Sequence, residues 1–406
     1  MSSHSFIRID FGPTMENEFK PGKLSLLTIL ISSMMILMGG AAVAPALPDI
    51  GQAFPDFDGI FINLIITMPS LAIVVSGLAM GVLADRIGKV KVLVMSLAIF
   101  GVSGLSGFFL EDLMLILVGR FGVGVGIAGI VCCTTALIAE YYVGIERKKV
   151  LGYQAAAMGI GGLVLELAGG VLADFGWHYP FLIYGIGLLM VFSALVSLKE
   201  PTHSGGAEID VSAFQVPKNA GAIRAFCYAA AFFIMLFMFT FPSKLPEYME
   251  ANLGSSPAIT GLMLGVLGTS SAVVSMSHKA ISGMLDEMTI LTSGFVCVGV
   301  SGLFFLLDPS YATVAPSAVF MGLGLGLVTP SVLTMLAETS TPATSGKIMG
   351  GYSTFINLGQ FLSTFVIAAF IGVYGGLTDS VFFTIISMAF VVAVLSLFVK
   401  LKLSRM

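Results

Sequence analysis

Twelve separate runs of about 20 apolar residues, each ended by a short polar loop, constrain this 406-residue chain more than any other feature. A bilayer core about 30 Å thick needs roughly 20 residues of helix to cross it. The runs fall at 24–46, 60–82, 91–110, 113–138, 150–173 and 178–198, and then at 222–243, 258–280, 289–307, 311–336, 346–372 and 378–399. The predicted fold class is all-α integral membrane: twelve transmembrane helices in two pseudo-symmetric six-helix bundles. The ten-residue alternating segments of a membrane β-barrel are absent.

Composition narrows the function. Apolar residues make up 57% of the chain and charged residues 10%, with a mean hydropathy of +1.00. A soluble domain carries about 25% charged residues. So much apolar surface needs lipid as its solvent, which excludes a cytosolic enzyme, a nucleic-acid binder and a secreted disulfide scaffold. Cys132, Cys133, Cys227 and Cys297 all lie in apolar runs and read as small hydrophobes. The four histidines show no metal-ligand spacing, and no HExxH, GxSxG or Walker sequence occurs. The GVGVG in span 4 is not a dinucleotide loop, because no strand precedes it. No catalytic constellation, metal site or cofactor is expected.

The few charges set the orientation. Of 19 Lys and Arg residues, 17 lie in the tails or around the loops after spans 2, 4, 6, 8 and 10, including Arg147, Lys148, Lys149 and Lys347. The opposite loops carry Asp49, Asp56, Asp58, Glu111, Asp112, Asp308 and Asp379 with one cation, Lys244. The positive-inside rule then places both termini in the cytoplasm of a multi-pass protein of the cell (inner) membrane. The lone Trp177 belongs at the outer end of span 6, where interfacial indoles are expected. The polar segment before Lys23 is not a signal peptide, since the first apolar run is long and lacks a cleavage pattern; Met15 is an alternative start.

The longest polar stretch, 199–221, is a Gly/Pro-containing cytoplasmic linker between halves 24–198 and 222–399, with tails 1–23 and 400–406. The halves echo each other. Lys149-Val-Leu-Gly152 resembles Lys347-Ile-Met-Gly350 at an offset of 198 residues, and GVLAD ending at Asp85 has a shorter counterpart, GMLD, ending at Asp286. Repeated halves of this kind are built by secondary transporters with a substrate site between them.

The segment Gly81 to Leu93, GVLADRIGKVKVL, resembles the loop 2–3 signature of the major facilitator superfamily. APALPDIGQAF (44–54), GRFGVGVGIAG (119–129) and FGWHYPFLIYGIG (175–187) extend the resemblance towards the twelve-span drug:proton antiporter branch. The resemblance implies a gating role for Gly81, Asp85, Arg86, Gly88 and Lys89, with Asp85 pinning the cytoplasmic gate shut against helix 11. A purely topogenic basic loop is the competing reading. The antiporter signature of helix 5 has a Gly-Pro where this chain has Leu165-Glu166, although Gly169-Gly170 is kept. A carboxylate replaces the expected kink.

A charge near the bilayer centre is costly, by about 2.5–3.5 kcal/mol even on insertion scales, and usually has a task. Arg120 lies eight residues inside span 4 from Asp112, and Glu166 eight residues short of Asp174 in span 5, each at roughly 12 Å depth. The expectation is a buried pair in which Arg120 holds Glu166 ionised and separation lets Glu166 take a proton. A static ion pair is the alternative, as is an Arg120 bonded to backbone carbonyls of helix 1. The family resemblance independently marks the helix 4 arginine as functional.

For a substrate cavity, helices 1 and 7 offer Met34, Met38, Phe233 and Phe237, with Asn63, Thr67, Asn357 and Gln360 as the main polar groups. Thioethers and aromatic faces accommodate varied apolar shapes and hold lipophilic cations, and they also pack ordinary helices. The expected partners are a small-molecule substrate, protons and the lipid bilayer, with no nucleic acid, and the chain acts as a monomer. The expected function is proton-coupled export of lipophilic or amphiphilic small molecules by alternating access. The alternative is a symporter or uniporter for a small metabolite on the same fold.

Overall fold

The computed structural model describes residues 21–40, 42–142, 144–201, 217, 219–341, 344–374 and 378–403. Residues 1–20 and 404–406 of the tails and most of the 199–221 linker lie outside the described residues. Among the described residues twelve helices are long and apolar enough to cross a membrane: α1 Lys23–Ala53, α2 Gly59–Ile87, α3 Lys89–Phe109, α4 Leu113–Tyr141, α5 Gly144–Ala173 and α6 Tyr179–Ser197 form the first half. The second half comprises α7 Ala220–Leu253, α8 Pro257–Ser282, α9 Glu287–Leu306, α10 Tyr311–Glu338, α11 Ser345–Tyr374 and α12 Ser380–Leu401. All twelve spans read from hydropathy are present.

Local sequence explains where these helices start, stop and break. Asp58 and Asp112 cap α2 and α4 by accepting from the backbone N–H groups of Ile60 and Leu115, each at 2.9 Å. In α1 the α-helix stops at Met34 and passes through 3₁₀ turns at Met35–Gly39 and Ala44–Ala46 before resuming at Leu47. Gly39, Gly40, Pro45 and Pro48 crowd this stretch, and glycine and proline are the residues a helix interior tolerates least. At the far end of the second half's first helix, α7 overruns its apolar run by about ten residues through Lys244, Glu247 and Glu250. Lys244 is therefore not a loop cation: it is buried in α7 and paired with Glu247 at 2.5 Å.

Within the first half α4 packs on α2 and α3, α3 on α6, and α1 on α5; within the second, α10 packs on α8 and α9, α9 on α12, and α7 on α11. Lipid offers no hydrophobic drive for such contacts, so close approach through small residues supplies much of the attraction. The repeat keeps one register throughout. A methyl built on Gly126 would lie 2.7 Å from Phe100 Cβ, and 198 residues on Gly324 faces Val298. Gly161 of α5 meets Met34 of α1 in the same way, and Gly359 of α11 meets Phe232 of α7.

The halves join along two seams, α5 against α8 and α2 against α11. Contact is concentrated at the end remote from the linker. There Gln52 donates to Glu250 at 3.0 Å, and the Ala258 N–H donates to Asp174 at 3.3 Å. Towards the linker end the halves part: a methyl built on Gly77, Gly152 or Gly350 meets nothing within 4 Å, and Leu78 and Met276 are 83% and 84% exposed.

Candidate functional site

Arg120 is fully buried, and its partners are all neutral oxygens. Nε donates to the Ile65 carbonyl at 2.6 Å, Nη1 to Tyr184 Oη at 2.7 Å, and Nη2 to the Gly39 carbonyl. Each acceptor exists for a reason. Residue 69, which would bond the Ile65 carbonyl in an unbroken α-helix, is proline and has no N–H. Gly39 ends the first 3₁₀ turn of α1. Tyr184 extends the network by donating to the Met38 carbonyl at 2.7 Å. The guanidinium thus satisfies backbone that a proline and a helix break leave open, in a medium where an unpaired carbonyl is costly.

Glu166 is elsewhere. The sequence expectation of an Arg120–Glu166 pair is not met: no ion pair joins them, and Glu166 Oε2 is inaccessible without a hydrogen-bond partner. The error lay in treating chain neighbours as spatial neighbours. Equal depth does not mean a shared face, and α4 packs mainly on α2 and α3 while α5 packs on α1 and α8. Glu166 faces α8 across the seam between the halves. A methyl on Gly268 would lie 3.7 Å from its Oε2, one on Gly265 4.0 Å, and one on Gly261 2.5 Å from its backbone carbonyl.

The other seam is built from matching positions with different chemistry. Thr67 of α2 and Thr364 of α11 share a hydrogen bond at 2.7 Å, and Ser70 donates to Gln360 Oε1 at 2.6 Å. Thr67 and Ser70 sit 198 residues before Gly265 and Gly268, and Thr364 sits 198 residues after Glu166. Neither Thr67 nor Gln360 is therefore a free group in an open cavity; both fasten α2 to α11.

The remaining cavity candidates are dispersed. Asn63 and Asn357 donate back to their own helices, to the carbonyls of Gly59 at 3.0 Å and Ser353 at 2.8 Å. Met34 packs against Gly161, and Met38 is buried. Phe233 and Phe237 stack at 6.0 Å and line an apolar cleft of about 420 Å³ with Leu362, Phe365 and Met388. All of that cleft belongs to the second half, between α7, α11 and α12, so it is not the space between the halves. The periodicity of Phe and Met runs marks a face without saying what the face meets.

At the linker end, the loop 2–3 residues are organised around the start of α3. Gly88 has φ = +105°, a region glycine enters without strain, and a methyl there would sit 2.6 Å from Glu200 Cδ. Glu200 covers the N-terminus of α3, accepting from the N–H groups of Lys89 and, at 3.0 Å, Val90. The Lys89 ammonium pairs with Glu140 at the end of α4. Gly81 faces Cys132 of α4 at ordinary packing distance, and Arg86 is exposed beside Val75, Leu78 and Val82. Asp85 is exposed, and among the described residues it has no hydrogen bond or ion pair, to α11 or elsewhere. In the second half Asp286 stands 198 residues after Gly88 and caps α9 itself, accepting from the Thr289 N–H at 3.1 Å and pairing with Lys400 at 2.8 Å.

Sequence reasoning missed Glu200, Tyr184 and the glycines of α8. Pro69 pointed to an orphaned carbonyl at Ile65, and the 198-residue offset pointed to Gly265 and Gly268 as counterparts of polar residues. Among the described residues no group of three or more His, Cys, Asp or Glu side chains is placed to hold a metal ion.

The sequence matches the family model of the Major Facilitator Superfamily over residues 29–276 and 227–404. The chain belongs to this superfamily. Among curated members it resembles the multidrug efflux protein YfmO of Bacillus subtilis (28% identity over 299 residues, 70% of this chain and 71% of that protein). It also resembles the class G tetracycline resistance protein of Vibrio anguillarum (25% over 334 residues, 79% and 84%). Its fold is that of a bacterial homologue of the human lysosomal transporter Spinster in an inward-facing, unoccupied conformation (TM-score 0.72, 16% identity, covering 92% and 94% of the two chains). As a major facilitator it is an integral membrane transporter of small molecules.

Proposed function

We propose that this major facilitator is a proton-coupled exporter of lipophilic or amphiphilic small molecules, working by alternating access in the cell membrane with both termini in the cytoplasm. The observation that carries this reading is Glu166, a carboxyl without a polar partner at Oε2, placed in a seam that must part when the halves rock. An ionised carboxylate is disfavoured where nothing compensates it, and in this reading Glu166 carries its proton while the seam is shut. Parting of the seam admits water and permits ionisation. A group that gains and loses a proton with the motion of the halves is the minimum device for coupling.

The positive-inside orientation makes the open end cytoplasmic, so this conformation faces inward. Asp85, free here, is then available to dock on α11 when the cytoplasmic ends close. The polar candidates of the cavity are bonded within helices or across the α2–α11 seam, which accords with a largely apolar cargo. The names of the two curated relatives, a multidrug efflux protein and a tetracycline resistance protein, accord with such a cargo. Glu166 replaces Arg120–Glu166 separation as the coupling element.

Flux in proteoliposomes under an imposed pH gradient tests the proposal. A lipophilic dye should move uphill against the proton gradient in the natural protein and not in Glu166→Gln. Metabolite flux indifferent to pH, with no dye movement, would return the chain to the metabolite symporter or uniporter reading.

A further inference from the structure

The two seams differ in the polar groups at their matching positions. In the α2–α11 seam, helix α2 contributes hydroxyls at Thr67 and Ser70, and both are hydrogen-bonded to α11. In the α5–α8 seam, helix α8 contributes Gly265 and Gly268 at the same places, and neither has a side chain to offer. The acid of this seam, Glu166, stands where α11 has Thr364. A Thr–Thr hydrogen bond in one seam has therefore become a carboxyl facing glycine in the other.

We propose that Gly265 and Gly268 are positioning residues for coupling: by withholding the hydroxyls that the first half supplies, they keep the Glu166 carboxyl undressed in the shut seam. This rests on Glu166 being the coupling acid. A hydroxyl donating to a carboxylate favours the ionised form, and its absence leaves protonation as the way to remove the charge. Close packing does not require the glycine at 268, because a methyl there meets nothing nearer than Glu166 Oε2 at 3.7 Å. At Gly265 the nearest atom to such a methyl is Leu163 Cδ1 at 2.6 Å, the end of a flexible side chain.

Among the described residues no charged group is paired with Glu166. Hydrogen bonds with backbone and Tyr184 occupy Arg120 on α4. On α1 the charged groups are Lys23 and Asp49 at its two ends; on α8 they are His278 and Lys279 near the linker end. On α5 itself, Glu146, Arg147 and Lys149 lie at the start, and Asp174, just past its end, is engaged by the Ala258 N–H; the flanking α6 stretch carries the phenols of Tyr179 and Tyr184. None of these is bonded to Glu166 Oε2.

The test restores the missing hydroxyl. Gly268→Ser introduces the residue found at the mirror position 70, and Gly268→Ala adds the same carbon without the donor. Gradient-driven dye export and gradient-independent dye counterflow are measured across pH in proteoliposomes for both, beside the natural protein and Glu166→Gln. The expected result is that Gly268→Ser shifts the pH profile of driven export about one unit towards acid, the size of one hydrogen bond to a charged group, while counterflow persists. Gly268→Ala should retain the natural profile. Coincident profiles for serine and alanine, with Glu166→Gln inactive in driven export, would overturn the role of the glycines and leave the coupling acid standing. Driven export by Glu166→Gln would overturn the coupling acid itself.

Discussion

Glu166 and Thr364 occupy the same place in the two halves, 198 residues apart, yet Thr364 is hydrogen-bonded to Thr67 at 2.7 Å while Glu166 Oε2 has no partner. Two helix pairs of identical register thus form one seam that is polar and satisfied and one that holds a single bare acid. An asymmetry of this kind is not needed to hold the halves together. In the proposed mechanism it gives one side of the molecule a group whose protonation the relative position of the halves governs.

Arg120 and Glu166 are not paired, so substitutions at the two sites should act independently. Replacing Arg120 by Met leaves the carbonyls of Ile65 and Gly39 unpaired, at a cost of about 1–3 kcal/mol for each group left unsatisfied in a buried site. Thermal unfolding in detergent should show a lowered midpoint for Arg120→Met. The double variant with Glu166→Gln should be additive to within about 0.5 kcal/mol, whereas an ion pair would give a larger interaction energy.

The start of α3 depends on the linker. Glu200→Ala removes the carboxylate from two free N–H groups and should cost about 1 kcal/mol. Gly88→Ala should cost at least as much, since it places a side chain both at φ = +105° and against Glu200. Combining the two should cost less than their sum, because removing Glu200 relieves the steric part of the Gly88 effect. Unfolding midpoints of the three variants check this.

Asp85→Asn should enrich conformations open at the linker end, because the substitution removes the charge proposed to dock on α11 when that end closes. Reaction of single cysteines placed at Leu78 and Met276, both exposed here, should become faster in a cysteine-depleted background. Unchanged labelling would return the loop to a purely topogenic role.

Hydrogen bonds from Lys400 first, and then from Thr289, hold Asp286 well below the usual carboxylate range, at about 2. A folded-state value below the unfolded one of 3.8 gives stability that is present above about pH 4 and lost as pH falls towards 2. The site is exposed, so the contribution is under about 1 kcal/mol. The unfolding midpoint of Asp286→Asn should lie slightly below that of the natural protein at neutral pH, and the difference should shrink as pH falls through about 2.

The helices and the repeat offset were legible because lipid imposes a length and a polarity on every span. Arg120 and Glu166 stood out for the same reason. Their partners did not, because hydropathy fixes the depth of a residue and is silent about its azimuth around the helix. Arg120 turned towards Ile65, a carbonyl freed by Pro69, and Glu166 turned towards glycines. Met38, Thr67 and Gln360 show the same limit: each has the composition of a cavity residue, and packing or the α2–α11 seam has absorbed it. Glu200 was overlooked because it sits in a stretch read only as linker.

Proton movement accompanying substrate flux tests the central claim most directly. Proteoliposomes containing a trapped pH indicator are given an outward dye gradient with no initial pH difference. The natural protein should move protons opposite to the dye, and Glu166→Gln should carry dye down its gradient with no proton movement. Undiminished proton counterflow through Glu166→Gln would contradict the account.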